Sequence, residues 1–151
     1  MEAMMKIISR LIQNQRIIHI ESTATVLEAA QKLQSYQIGA VLVMDNDALV
    51  GILSERDVCN RLVAQGKSPA TTLVKDIMTP SPDTITPDQS AENALAMMAA
   101  NRYRHLPIVD DSGVVLGMVS IRDLYAAIKV QLQHEVEQRD AMISGTSYGI
   151  A

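Results

Sequence analysis

The chain carries one segment twice. Gly51-Ile52-Leu53-Ser54-Glu55-Arg56-Asp57 is answered by Gly117-Met118-Val119-Ser120-Ile121-Arg122-Asp123, so that glycine, serine, arginine and aspartate recur at one offset of 66 residues. An internal repeat constrains the fold more tightly than any local propensity, because each copy has to form the same supersecondary unit. Upstream the match continues at an offset of 65: Ala29, Leu33, Ile38, Val41, Val43, Met44 and Asp45 fall opposite Ala94, Met98, Tyr103, Leu106, Ile108, Val109 and Asp110. The extra residue of the second copy lies in Asp111-Ser112-Gly113, where the first copy has only Asn46-Asp47. Clusters of Asp, Asn and Gly between apolar runs are hairpin turns, which absorb length changes at little cost.

Each copy reads β-α-β-β-α. A β-rich stretch, Ile17–Ile20 or Asp83–Thr86, precedes a helix over Thr25–Tyr36 or Ser90–Asn101. Val26, Ala29, Ala30 and Leu33 lie on one face of the first helix, and Ala91, Ala94, Leu95 and Met98 repeat that stripe. Ser22 or Thr23, and Asp88 or Ser90, are the candidate acceptors for the free amides at the helix starts. Apolar strands then form hairpins, Ala40–Met44 with Leu49–Leu53 and Leu106–Val109 with Val114–Val119. A closing helix follows, over Glu55–Ala64 and from Ile121 to Gln133 or beyond. The expected class is α/β (α+β): two pseudo-symmetric units at 16–67 and 83–131, packed through their sheets. Residues 68–82, with three prolines and preceded by Gly66, read as a connector.

Residues 1–15 read as an amphipathic helix on Met4, Ile7, Ile8, Leu11 and Ile12, broken by Ser9 and Arg10 and lacking the small-residue cleavage site of a signal peptide. Residues 132–151 read as an extension of the last helix, stopped by Gly145, with a frayed tail. Its stripe of Tyr125, Ile128, Leu132 and Val136, continued at Arg139 and Ile143, needs a surface to cover; that surface is a second subunit or the N-terminal helix.

Apolar residues make up 48% of 151, yet Phe and Trp are absent, so the core has to be aliphatic with nine methionines. The net charge of −4, with no basic stripe and no stacking aromatics, argues against nucleic acid. No apolar run approaches the ~20 residues of a membrane span. The single cysteine, Cys59, precludes an internal disulfide and suits a reducing cytoplasm. His19, His105 and His134 lack metal-ligand spacing, and no nucleophile lies beside a base, so neither a metal site nor an enzyme is expected.

The tandem β-α-β-β-α unit with its Gly-apolar-apolar-Ser-x-x-Asp motif, together with Asp76-Ile77-Met78-Thr79 ahead of the second copy, resembles the CBS domain pair (the Bateman module, named for cystathionine β-synthase). The resemblance covers about residues 16 to 131. It implies a free-standing regulatory pair that binds an adenine nucleotide in clefts between the sheets, dimerises, and reports occupancy to a regulated enzyme or transporter without catalysing a reaction. It also implies that Asp57 and Asp123 hold ribose hydroxyls, with Ser54 and Ser120 near phosphate. A further family segment, at the first hairpin strand, matches Tyr103-Arg104-His105-Leu106-Pro107; the first copy has Ile38-Gly39-Ala40-Val41-Leu42 there, with leucine in place of proline.

The residue chemistry is compatible with that role. A carboxylate accepts from both hydroxyls of a cis-diol, a strand-to-helix corner offers free amides to phosphate, and Arg56 and Arg122 add planar cations. AMP, ADP, ATP and NAD(H) all fit, S-adenosylmethionine less well because arginines favour phosphate. Arg102, Arg104 and His105 are expected to make the second copy's cleft the more basic, and the first copy's cleft the emptier. The plainer alternatives stand beside this reading. Ser-x-x-Asp is also a capping box, and the whole module is also readable as a dimerisation scaffold with vestigial clefts.

Overall fold

Thr25 and Ser90 begin the two main helices. Each turns extended just before its helix and accepts an amide with its side chain, from Glu28 at 3.1 Å and from Asn93 at 3.0 Å. The computed structural model describes residues 6–150, with side chains described through 143. In chain order the elements are α1 (Ile7–Ile12), β1 (His19–Ile20), α2 (Val26–Tyr36), β2 (Ala40–Asp45), β3 (Ala48–Ser54), α3 (Glu55–Asp57, running on as a π-helical segment Val58–Val63), α4 (Val74–Ile77), β4 (Thr79–Pro80), α5 (Ala91–Asn101), β5 (His105–Val109), β6 (Val115–Ser120) and α6 (Ile121–Ile150).

The α/β reading holds: the first unit is β-α-β-β-α, and the second repeats it with its opening strand reduced to a bridge. The first sheet has order β1-β2-β3-β4, with β1 parallel to β2 and the others antiparallel. The second is the β5-β6 hairpin, joined by a single parallel bridge from Ile85 to Ile108. Asp83–Thr86 is thus one bridge rather than a strand. Asn46 and Asp47 both take positive φ, 52° and 64°, the conformation of a two-residue hairpin turn. Ser22 does not cap α2; its amide and hydroxyl both donate to the Asp45 carboxylate, at 3.0 and 2.6 Å, tying the entry of α2 to the end of β2.

Strand alternation divides the core. Val41 and Val43 point to the first unit's cluster, with Val26, Ala29, Leu33 and Leu53. Leu42, only 1% exposed, points the other way and meets Val109 and Val115 of the second sheet. Leu106, Ile108, Val119, Ala94 and Met98 form the second unit's core. The units therefore pack through their sheets, as expected.

The leaders exchange units. Residues 68–82 are more than a connector: Val74 and Ile77 of α4 are buried in the first unit's core, and β4 adds an edge strand to β3. Reciprocally, Ile7 and Ile8 of α1 are buried in the second unit's core. Met4 lies outside the described residues. The glycines of the repeat are where the leaders dock. A Cβ at Gly51 would sit 2.5 Å from Met78 Sδ, and one at Gly117 would sit 2.8 Å from Ile12 Cγ2.

Two helices depart from expectation. The helix after the first motif becomes π-helical from Val58, where Arg61 turns to donate to the carbonyls of Ile77 and Met78, each at 3.1 Å. α6 runs past Gly145 to Ile150, since one glycine costs a helix only about 1 kcal/mol. Leu124 is fully buried and Ala127 and Ile128 pack on the core, whereas Tyr125, Leu132 and Val136 are 59%, 55% and 53% exposed. No described helix is long and apolar enough to cross a membrane.

Candidate nucleotide clefts between the two units

Two concavities open where β3 and β6 run into their helices. Ser54, Glu55, Arg56 and Asp57 line a cavity of about 500 Å³; Ser120, Ile121, Arg122 and Asp123 line a second of about 990 Å³. At both corners the Ser-x-x-Asp motif closes as a full capping box. The Ser54 amide donates to Asp57 Oδ2 at 2.9 Å and the Asp57 amide donates to Ser54 Oγ at 3.2 Å. In the second copy the Ser120 amide donates to Asp123 Oδ2 at 3.1 Å and the Asp123 amide to Ser120 Oγ at 3.0 Å. The cap engages one carboxylate oxygen and fixes the rotamer, so Oδ1 is free for another donor. At Asp57 that oxygen lies 3.8 Å from Arg61 Nε.

The wall opposite each corner comes from the other unit. Tyr103, Arg104 and His105 join Ser54 and Asp57, together with Arg102; Ile38 and Gly39 join Ser120 and Asp123, together with Gln37. This corrects the expected charge distribution. Arg102 and Tyr103 belong to the Asp57 cleft, and Arg104 and His105 line both, so the first motif's cleft is the more basic. The crossing follows from sheet packing, which sets the start of β5 beside the end of β3 and the start of β2 beside the end of β6. Ala40 and Leu106 are fully buried and Pro107 is buried; none of these three lines either cavity.

Gly39, Glu55, Arg104 and His105 form a partition that both cavities share. A Cβ at Gly39 would lie 2.9 Å from Glu55 Oε1 and 3.1 Å from His105 Nε2, so only glycine lets those two side chains meet there. Burial holds the His105 imidazole below its ordinary pKa, with the Arg104 charge adding to that and Glu55 and Asp123 opposing it. Burial, reinforced by donation of its hydroxyl to Asp83 at 2.9 Å, pushes the Tyr103 phenol up to about 12, so this ring is a neutral donor at the cleft wall.

Several lining residues escaped the sequence reading. Thr79, Ser81 and Pro82 of the expected connector and Asp83 of the expected strand floor the Asp57 cleft, and Asn60 reaches it from the π-helical segment. Gln15 takes the corresponding place at the Asp123 cleft. The available signal was Asp76-Ile77-Met78-Thr79, which marks a second leader before the second copy. Among the described residues, no group of three or more His, Cys, Asp and Glu is placed to hold a metal ion.

Comparison with known proteins agrees with this architecture. The CBS domain family model matches twice, over residues 8–64 and 74–130, and both matches include a leader helix. The mitochondrial CBS domain-containing protein CBSX3 of Arabidopsis thaliana is 36% identical over 126 residues, which is 80% of this chain and 61% of that protein; the chain thus spans less than two thirds of that relative's length. A CBS domain protein from Pyrobaculum aerophilum, complexed with AMP, superposes at a TM-score of 0.69 with 25% identity, covering 76% of this chain and 88% of its own. The CBS domain pair of protein MJ0100, in complex with 5′-methylthioadenosine and S-adenosylmethionine, superposes at 0.71 with 26% identity, covering 79% and 97%. With the α-β-β-α order formed twice and the family matched over both copies, the chain belongs to the CBS domain family, as a tandem pair.

Proposed function

We propose that this chain is a non-catalytic sensor that binds adenosine-containing ligands in the two clefts. The observation that carries the reading is the crossed construction. Each cleft sets a capped aspartate from one unit against a segment of the other, so a ligand filling it touches both units at once. Asp57 and Asp123 would accept from the ribose hydroxyls through the oxygen their caps leave free, and the amides of Arg56 and Arg122, which neither the caps nor the Gly39 and Arg104 carbonyls take, would face phosphate. The AMP and S-adenosylmethionine complexes of the two neighbours share only the adenosine, which is the part this arrangement would recognise. Occupancy shifts the relative position of the units by as much as the ligand's affinity differs between the two arrangements.

A thermal-shift series with AMP, ADP, ATP, NADH and S-adenosylmethionine tests the reading. Ligand at 100 times its Kd stabilises by about 2.7 kcal/mol per site, roughly 5–10 °C at this chain length. Asp57→Ala and Asp123→Ala, made separately, should each remove one site's share. Unaltered binding in both would sink the ribose assignment.

A second reading is favoured by α6. Its exposed Tyr125, Leu132 and Val136 form an apolar stripe on a helix about 45 Å long, most of which leaves the body. We propose a second copy of the chain as the surface that covers it. Light scattering of Leu132→Asp should show monomers where the parent shows dimers, and a monomeric parent would end this reading.

A further inference from the structure

Because the fold is duplicated, each cleft is a reference for the other. The corner residues are the same, Ser54, Arg56 and Asp57 against Ser120, Arg122 and Asp123, and so is their capping geometry. The segments brought in from the opposite unit also occupy matched places. Gln37 and Arg102 are the left-handed residues that end α2 and α5, with φ of 54° and 61°. The carbonyls of Gly39 and Arg104 accept the amides of Glu55 and Ile121, at 2.9 and 2.8 Å. At these matched places the Asp123 cleft receives a neutral amide and a glycine, while the Asp57 cleft receives two guanidinium groups.

Those cations are available. Arg56, Arg102 and Arg104 are exposed, and none has a carboxylate within ion-pair distance among the described residues. Arg61 is not counted, since its guanidinium is spent on the carbonyls of Ile77 and Met78. The carboxylates in this cleft, Asp57 beside its cap, Asp83 beside the Tyr103 hydroxyl and Glu55 on the shared partition, keep their charge, yet the arginines lining it still outnumber them, whereas in the Asp123 cleft the two are equal in number. Three unpaired guanidiniums around one cavity repel one another until an anion enters, and each added phosphate supplies a further planar set of acceptors. The Asp123 cleft has Arg122 of its own and only shares Arg104.

Building on the adenosine reading above, we infer that the two clefts differ in the phosphate count they select. The Asp57 cleft takes a nucleoside di- or triphosphate, and the Asp123 cleft is indifferent to phosphates beyond the first.

The test is titration calorimetry of the full chain with AMP and with ATP, at low and at high salt, for the parent, Arg102→Gln and Gln37→Arg. Each substitution copies the residue that already occupies the matched place in the other unit, so the left-handed backbone is kept. The parent should bind ATP ~10-fold or more tighter than AMP at one site, a preference that weakens with salt. Arg102→Gln should collapse that preference, and Gln37→Arg should create one at the second site. Equal AMP and ATP affinities in the parent, or a preference unmoved by Arg102→Gln, overturns the inference while leaving the adenosine reading intact. Absence of binding by either nucleotide in the parent overturns both.

Discussion

The Ser54 amide donates to Asp57 Oδ2 at 2.9 Å while the Asp57 amide donates to Ser54 Oγ at 3.2 Å, so the residue proposed to hold ribose also starts its own helix. Structural and ligand-binding roles are therefore superimposed on one carboxylate, and substitutions should separate them. Ser54→Ala and Ser120→Ala each remove one cap acceptor and should cost about 1 kcal/mol, read as a fall of roughly 2–4 °C in Tm. Asp57→Asn keeps an oxygen for the Ser54 amide and should destabilise less than Asp57→Ala. It should still weaken adenosine ligands about tenfold, because a charge-assisted bond to a hydroxyl becomes a neutral one. Chemical denaturation and calorimetry on the same preparations check both halves.

The parts of the molecule legible in the sequence are those with short-range signatures. The cap at Ser90 lies three residues from its partner, and the helix stripes and hairpin turns are equally local, whereas α2 is capped by Thr25 rather than by the expected Ser22 or Thr23. The destinations of Val74, Ile77, Ile7 and Ile8 were not legible, because a four- to six-residue apolar helix carries no mark of which unit it packs on. The charge of each cleft was misplaced for the same reason. Tyr103, Arg104 and His105 follow the second copy's helix in sequence, but sheet packing delivers them to the first copy's aspartate.

The glycines of the repeat should resist alanine for different reasons. At Gly51 an added Cβ meets Met78 Sδ at 2.5 Å and the Thr79 carbonyl at 3.0 Å; the thioether can swing away but the carbonyl is held in β4. At Gly117 it meets Gln15 Oε1 and, at 2.8 Å, Ile12 Cγ2, both on the leader. Each substitution should cost about 1–3 kcal/mol. Gly51→Ala should lower global stability, and Met78→Ala in that background should not recover the loss, because the Thr79 carbonyl stays in place. Gly117→Ala should chiefly release α1, seen as faster proteolysis near residue 12.

His105 should make the fold acid-sensitive. Its folded pKa lies below the ordinary 6.5, mainly through burial. An unfolded chain therefore takes up the proton first. Stability should fall as pH drops below about 6.5 toward the folded pKa, and this contribution should be constant above the unfolded value. His105→Gln removes the titration. Thermal denaturation between about pH 7.5 and 5.5 should show a steeper decline for the parent than for the variant, and parallel curves would contradict the assignment.

Gln15 shows how a side chain can stand in for a strand. Where β4 pairs with β3 through Thr79 and Ile52, the matching edge of β6 has no strand, and the Gln15 amide takes its place. Its Nε2 donates to the Met118 carbonyl at 2.9 Å, and its Oε1 accepts the Met118 amide at 2.8 Å. Gln15→Ala should lose both bonds, about 0.5–1.5 kcal/mol each. Gln15→Glu should be no better: the carboxylate can still accept the amide, but it sets a negative charge against the Met118 carbonyl. Hydrogen exchange at the Met118 amide should accelerate most in the alanine variant, while denaturation should place the glutamate variant at or below it. If Gln15→Glu proves as stable as the parent, the carbonyl-facing bond contributes nothing to holding the leader.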